Sequence, residues 1–191
     1  MRINKGKLPL KALILAAAWG LGPVACLKAP TAAEVKAMMD ITDVTTQWVA
    51  KAYTPWPPRL ILVPTISLRV KNIMTKPLKF IDINAVFAFK GDPQNLGENF
   101  RIVIDSKPVL PGEKTQIFTF ISPYGFDGRN LTFIKNHPWW NSKVVEVKIF
   151  ANTKGSGPVL LSTWMMSKDI DFKEPETPGQ KKVDVNPAPK K

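Results

Sequence analysis

Apolar residues fall at every second position along Lys79 to Phe89: Ile81, Ile83, Ala85, Phe87 and Phe89 share one face, while Asp82 and Asn84 mark the other. Period two is the signature of a half-buried β-strand, because successive side chains of extended backbone point to opposite faces. Similar runs are Leu60 to Lys71, Phe100 to Asp105, Thr115 to Ile121, Lys143 to Ala151 and Pro158 to Asp169, with Thr45 to Tyr53 as a less regular first strand. Turn formers separate them, among them Gly91-Asp92-Pro93, Leu110-Pro111-Gly112-Glu113, Ser122 to Gly128 and Lys154 to Gly157. About seven short strands at this spacing, with no helical period between them, predict an all-β fold, an immunoglobulin-like antiparallel β-sandwich. Pro64 interrupts the Leu60 to Lys71 run. It has no N–H to give to a ladder, so it predicts an edge position or a bulge.

Ahead of the strands the pattern changes. Thr31 followed three residues later by Glu34 forms a capping box, predicting a helix over Ala32 to about Met39. Two turns are marginal alone, so this helix either packs on the domain or serves as a spacer. In AYTPWPPRL, Ala52 to Leu60, three prolines predict a stiff, extended joint, with Trp56 capping the end of the domain or meeting a partner. After the last strand, Lys173 to Lys191 holds four prolines and few apolar residues, a composition that predicts disorder.

The amino end carries Arg2, Lys5, Lys7 and Lys11 with no acid before Glu34, followed by the apolar run ALILAAAWGLG, Ala12 to Gly22. This is the layout of a bacterial export signal, and it is too short to span a bilayer, which needs ~20 apolar residues. Ordinary cleavage after Ala25 or Ala29 places Pro23 or Leu27 where a small residue is wanted. The chain's single cysteine, Cys26, follows Pro23-Val24-Ala25. PVAC resembles a lipobox, with Pro23 in place of the usual leucine; that resemblance implies cleavage before Cys26 and acylation of its sulfur, palmitate included. One acyl chain holds a protein only marginally, at ~0.8 kcal/mol per buried CH2, whereas two or more anchor it. The expected organisation is a lipoprotein signal peptide over 1–25, a lipidated amino end with helix and joint over 26–58, the sandwich over 59–172, and the tail over 173–191. The expected place is the cell envelope. Leu27 after the cysteine, where an aspartate resembles an inner-membrane retention signal, implies the outer membrane in a Gram-negative cell and otherwise the outer face of the cell membrane.

Charge narrows the partners. Removal of residues 1–25 takes away four of the 27 Lys and Arg and none of the 15 Asp and Glu, so the remainder keeps a positive surplus of eight. Such a surface favours anionic lipid headgroups, lipopolysaccharide phosphates or acidic glycans, and the partner expected beside the membrane is an envelope protein or an acidic glycan. No nucleic-acid-binding motif accompanies the charge, so nucleic acid is not expected.

Two stretches carry a family resemblance. SLRVKNIMTKPLKFIDINAVFAFKGDPQNL, Ser67 to Leu96, followed by KPVLPGEKTQIFTF, Lys107 to Phe120, resembles the FxLYD-type immunoglobulin-like domain of bacterial envelope proteins. The shared features are a strand ending Val70-Lys71-Asn72, a polar turn, an alternating strand, a Gly-Asp loop and a Pro-Gly-Glu opening to the next strand. The Phe/Tyr-Asp strand end that names the family is replaced here by Ala85 to Lys90. The resemblance implies a binding or spacing role without catalysis.

The residues agree with that implication. Metal hydrolysis needs clustered ligands, yet His137 is the only histidine and Cys26 the only thiol. No nucleophile elbow, carboxylate pair or phosphate-cradling Gly loop stands out, and no cofactor is expected. The most distinctive loop is NHPWWNS, Asn136 to Ser142. Trp139 and Trp140 either offer flat faces to a ligand, with Tyr124 and Phe126 as neighbours, or plug the end of the sandwich. The function expected is therefore a membrane-tethered, non-catalytic envelope protein that binds or positions another envelope component; a carbohydrate-binding accessory domain is the alternative.

Overall fold

The computed structural model describes residues 29–92 and 95–175. In chain order they form α1 (Ala32–Met38), β1 (Met39–Pro55), β2 (Pro58–Asn72), β3 (Ile81–Phe89), β4 (Asn95–Ile104), β5 (Phe118–Ile121), β6 (Phe126–Gly128), α2 (Leu131–Lys135), α3 (Pro138–Ser142), β7 (Val145–Thr153), β8 (Val159–Met165) and β9 (Ile170–Asp171). One sheet runs β5-β2-β1-β9 with β6 also on β2; the other runs β4-β3-β7-β8. Neighbours are antiparallel except for the short β1–β9 pair. The chain crosses between sheets after β2, β4, β6 and β8, which makes this an antiparallel, immunoglobulin-like β-sandwich.

The period-two residues form its core. Ile81, Ile83, Ala85 and Phe87 of β3 and Val147, Ile149 and Ala151 of β7 are fully buried, facing Leu60, Leu62, Ile66, Leu68 and Val70 of β2. Apart from the two alanines, each such side chain contributes ~1.5–3 kcal/mol of transfer free energy when fully buried. The two strands beyond the seven expected, β6 and β9, are three and two residues long. Helices α2 and α3 occupy Leu131 to Ser142, where no helical period stands out because each is only five residues long.

Pro64 is a correction. Its strand, β2, is interior, with β1 on one side and β5 and β6 on the other. Neither β5 nor β6 reaches Pro64: β6 pairs with Leu60 to Leu62, and β5 with Thr65 to Leu68. The Pro64 carbonyl accepts from Ser122 N–H at 3.0 Å, on the side where the chain passes from β5 to β6. The missing N–H points the same way, so no ladder bond is lost.

The joint is also corrected. Met39–Pro55 pairs with Pro58–Asn72 from end to end, apart from two register shifts in β1, so Pro55 to Pro58 is a hairpin turn and no boundary falls between residues 58 and 59. The Trp56–Pro57 bond is cis. Helix α1 forms as its capping box predicts: Thr31 Oγ1 accepts from Glu34 N–H, and a Glu34 carboxylate oxygen accepts from Thr31 N–H. It packs on the sandwich by burying Val35. At the carboxyl end, Glu174 accepts a hydrogen bond from Leu131 N–H, so residues 173–175 belong to the fold; the rest of the expected tail, 176–191, lies outside the described residues, as do Cys26 and the signal segment 1–25.

The residues of the family resemblance fasten one end of the sandwich. Asn72 is fully buried. Its Nδ2 donates to the carbonyls of Lys76 and Val109, both at 2.9 Å, and its Oδ1 accepts from Met74 N–H. Its backbone exchanges hydrogen bonds with the Pro111-Gly112-Glu113 turn, where Gly112 takes a positive φ of 79° suited to glycine. Among the described residues, no helix is long and apolar enough to cross a membrane.

Candidate functional site

At the opposite end, β3 finishes at Phe89, β7 begins at Val145, and β6, α2 and α3 close the space between the sheets. Both small helices are set by their caps. Asn130 accepts from Phe133 N–H at 2.7 Å to start α2, and His137 Nδ1 accepts from Trp139 N–H at 3.2 Å to start α3, with Pro138 in the first turn, where its missing N–H costs nothing. Because Nδ1 accepts, a neutral His137 carries its proton on Nε2. Ser142 Oγ closes α3 on the Pro138 carbonyl.

The helical turn sends the two adjacent tryptophans different ways. Trp140 is 6% exposed and lies edge-on to Trp48, at 4.9 Å between centroids, and to Phe126, at 5.4 Å. Trp48 is itself buried, its indole N–H donating to the Ser167 carbonyl at 3.0 Å. Trp139 is 53% exposed. It stands edge-on to Phe89 and His137, while the Lys143 ammonium lies 4.6 Å from its ring centroid and 4.8 Å from that of Phe89. Lys143 also reaches an Asp92 carboxylate oxygen at 3.4 Å. Beside this cluster a hollow of about 260 Å³ is walled by Phe89, Leu96, Phe126, Phe133, His137 and Trp139. The Arg129 guanidinium lies over Phe133 at 5.4 Å and lines a second, adjoining hollow that shares Phe133 and His137.

Gly125 makes this closure fit. A Cβ there lies 2.0 Å from the Leu62 carbonyl oxygen, so only glycine lets the chain enter β6 so close to β2. One residue beyond Phe126, Asp127 meets Arg59 of β2 in a two-pronged ion pair, the shortest contact 2.6 Å. The Arg59 hydrogen bond holds the Asp127 carboxyl below the ordinary carboxylate value.

Of the residues expected at the site, Trp139 is exposed on the hollow and Phe126 is half-buried at its base. Trp140 is corrected to a core residue, unable to offer a face to a ligand. Tyr124 is 68% exposed, and its ring packs beside Gly97 of β4; among the described residues it makes no ring contact with either tryptophan. Trp56 is 88% exposed at the hairpin tip and does not cap the domain. The tip extends past Leu62, the register partner of Phe126, by six residues, about 20 Å at strand rise. Phe89, Phe133, His137 and Lys143 complete the surface. The spacing of Trp139 and Lys143, four residues apart, is the helical signal that points to their meeting. No group of three His, Cys, Asp or Glu side chains among the described residues is placed to hold a metal ion.

No family model matches the chain, and no curated protein matches it. Among solved structures it is similar to a putative ApaA protein from Bordetella pertussis, at 15% identity over 68% of this chain and 93% of that one, TM-score 0.35. A protein from Archaeoglobus fulgidus is similar at 14% identity over 66% and 92% of the two chains, TM-score 0.34.

Proposed function

We propose that the protein is a lipid-tethered, non-catalytic component of the bacterial cell envelope that binds or positions another envelope component through the aromatic end of its β-sandwich. The observation that carries the reading is the concentration of exposed rings at one end. Trp139, Phe133 and Tyr124 are 53%, 43% and 68% exposed there, with Trp56 on a tip projecting beyond them. Aromatic side chains supply large contact areas at small entropic cost and dominate binding energies at interfaces. Lys143 and Arg129 add positive charge beside them, which suits an acidic polymer or protein.

The tether rests on the amino-terminal sequence: the basic start, the apolar core and Cys26 after Pro23-Val24-Ala25. A diacylated or triacylated Cys26 keeps the domain on a membrane face, in a Gram-negative cell the periplasmic side of the outer membrane. Chain direction supports a role at the far end. The chain enters β1 at Met39, beside Asn72, whereas the aromatic end lies past Trp48 and Leu62 along the same hairpin. Metabolic labelling with palmitate tests the tether: the native chain takes up label and Cys26→Ala does not, while equal labelling contradicts it.

The carbohydrate reading called for Trp139, Trp140 and Tyr124 as a shared platform. With Trp140 in the core and Tyr124 beside β4, it rests on Trp139, one ring that already carries Lys143. A glycan array decides it; absence of saccharide binding by the native chain removes this alternative.

A further inference from the structure

The outer face of the four-stranded sheet carries a row of register partners at one level: Phe100 on β4, Asn84 on β3, Phe150 on β7 and Leu160 on β8. Phe100 is 55% exposed, Leu160 39%, and Ile102, on the same face of β4, 60%. Adjacent exposed apolar side chains of this size mark an interaction surface more often than scattered ones do. Between the two phenylalanines, Asn84 donates from Nδ2 to a Glu98 carboxylate oxygen at 2.7 Å. That contact fixes the amide, because the reverse orientation sets its oxygen against the carboxylate. Asn84 Oδ1 is then buried without a donor, and so is Asn152 Oδ1 on the same face. Both oxygens are covered by the chain itself, so what this face offers from outside is its apolar side chains and its charges.

We propose that this face packs against the same face of a second copy of the chain, with a twofold axis running along β3. Rotation about that axis keeps β3 over β3 and exchanges β4 with β7. Asn84 then meets Asn84. Phe100 meets Phe150, apolar on apolar. Glu98 on β4 and Lys148 on β7 flank Val86 at the next level of the register, so the same rotation sets Glu98 of each copy against Lys148 of the other. Charge complementarity therefore appears twice, once on each side of the axis. Face-to-face sheets lie ~10 Å apart, a gap that two asparagine side chains meeting end to end can bridge. The overlap of three strands, about 14 Å by 30 Å on each copy, buries roughly 900 Å² in all, in the range of weak, reversible interfaces. Asp82 on β3 also meets its counterpart, a like charge whose repulsion keeps the dimer weak.

Sedimentation equilibrium of the full-length chain in a non-ionic detergent tests the proposal. A reversible monomer–dimer equilibrium is expected. Glu98→Lys and Lys148→Glu each weaken it about tenfold, and the double reversal restores it. Phe100→Asp abolishes it, and Asp82→Asn tightens it. Circular dichroism melts on each variant establish that the sandwich stays folded. A monomer at concentrations up to about 1 mM, where even weak association shows, overturns the proposal. So does a dimer that the single reversals leave unchanged, or one that the double reversal fails to restore.

Discussion

Trp140 meets Trp48 edge-on at 4.9 Å, tying the helical turn before β7 to the middle of β1, while its sequence neighbour Trp139 stays 53% exposed. Truncation at the two positions therefore has unequal consequences. Trp140→Ala opens a cavity beside Trp48 and Phe126 and is expected to cost ~3–5 kcal/mol of folding stability. Trp139→Ala removes a half-exposed ring and is expected to cost under ~1 kcal/mol. Urea unfolding of both variants measures the difference. Equal losses contradict the division of the pair into core and surface.

Gly125→Ala is expected to destabilise more than any surface change. The added Cβ lies 2.0 Å from the Leu62 carbonyl oxygen and 2.9 Å from the Val63 Cα, both backbone atoms that cannot swing aside. The strand must move, so the β6 pairing with Leu60 to Leu62 is lost. Hydrogen exchange reads this as faster exchange of the β6 and β2 amides, with those of β3 and β7 unchanged.

Asn72→Ala tests the other end. It removes the donors to the Lys76 and Val109 carbonyls and the acceptor for Met74 N–H in a site closed to water. Each buried group left without a partner costs ~1–3 kcal/mol, so a loss of at least ~2 kcal/mol is expected. Asn72→Asp keeps the acceptor for Met74 N–H but turns both donated bonds into repulsions, and should be worse.

The Asp127 carboxyl, held below its ordinary value by hydrogen bonds from Arg59, predicts a pH dependence. A lowered folded value means that the pair's stabilisation is complete above the unfolded value of about 3.9 and is lost as pH falls through the folded one. Both side chains are about half exposed, so the effect is small. Asp127→Asn should lower the melting temperature slightly at neutral pH, and the difference from the native chain should close as the medium is acidified below the carboxylate range. A difference that persists in strong acid contradicts the ion pair as its cause.

The strands were legible because their inner faces alternate strictly: Ile81 to Phe87 and Val145 to Ala151 read the same in sequence and in space. The hairpin at Pro55 to Pro58 was not, since a proline cluster reads equally as an extended joint, and only the pairing of β1 with β2 decides between them. Pro64 misled for a related reason: a missing N–H signals an unladdered side, which an edge strand or a gap between two short neighbours supplies equally well. The residues of the family resemblance, Asn72 and the Pro111-Gly112-Glu113 turn, hold each other at the end away from the aromatic cluster, so they specify the fold rather than a ligand. At the candidate site, Trp139 and Phe126 could be named from composition, but Phe89, Phe133 and Lys143 join them through long-range packing that no local period records.

The central claim is that the aromatic end holds another envelope component. Its most direct test is in-cell photocrosslinking, with a photoreactive amino acid placed in turn at position 133 or 139 and, as the control, at Leu110 on the opposite end. Binding at the aromatic end predicts a discrete adduct from positions 133 and 139 that weakens with Lys143→Glu and is absent from position 110. No adduct from either aromatic-end position, or equal adducts from both ends, contradicts it.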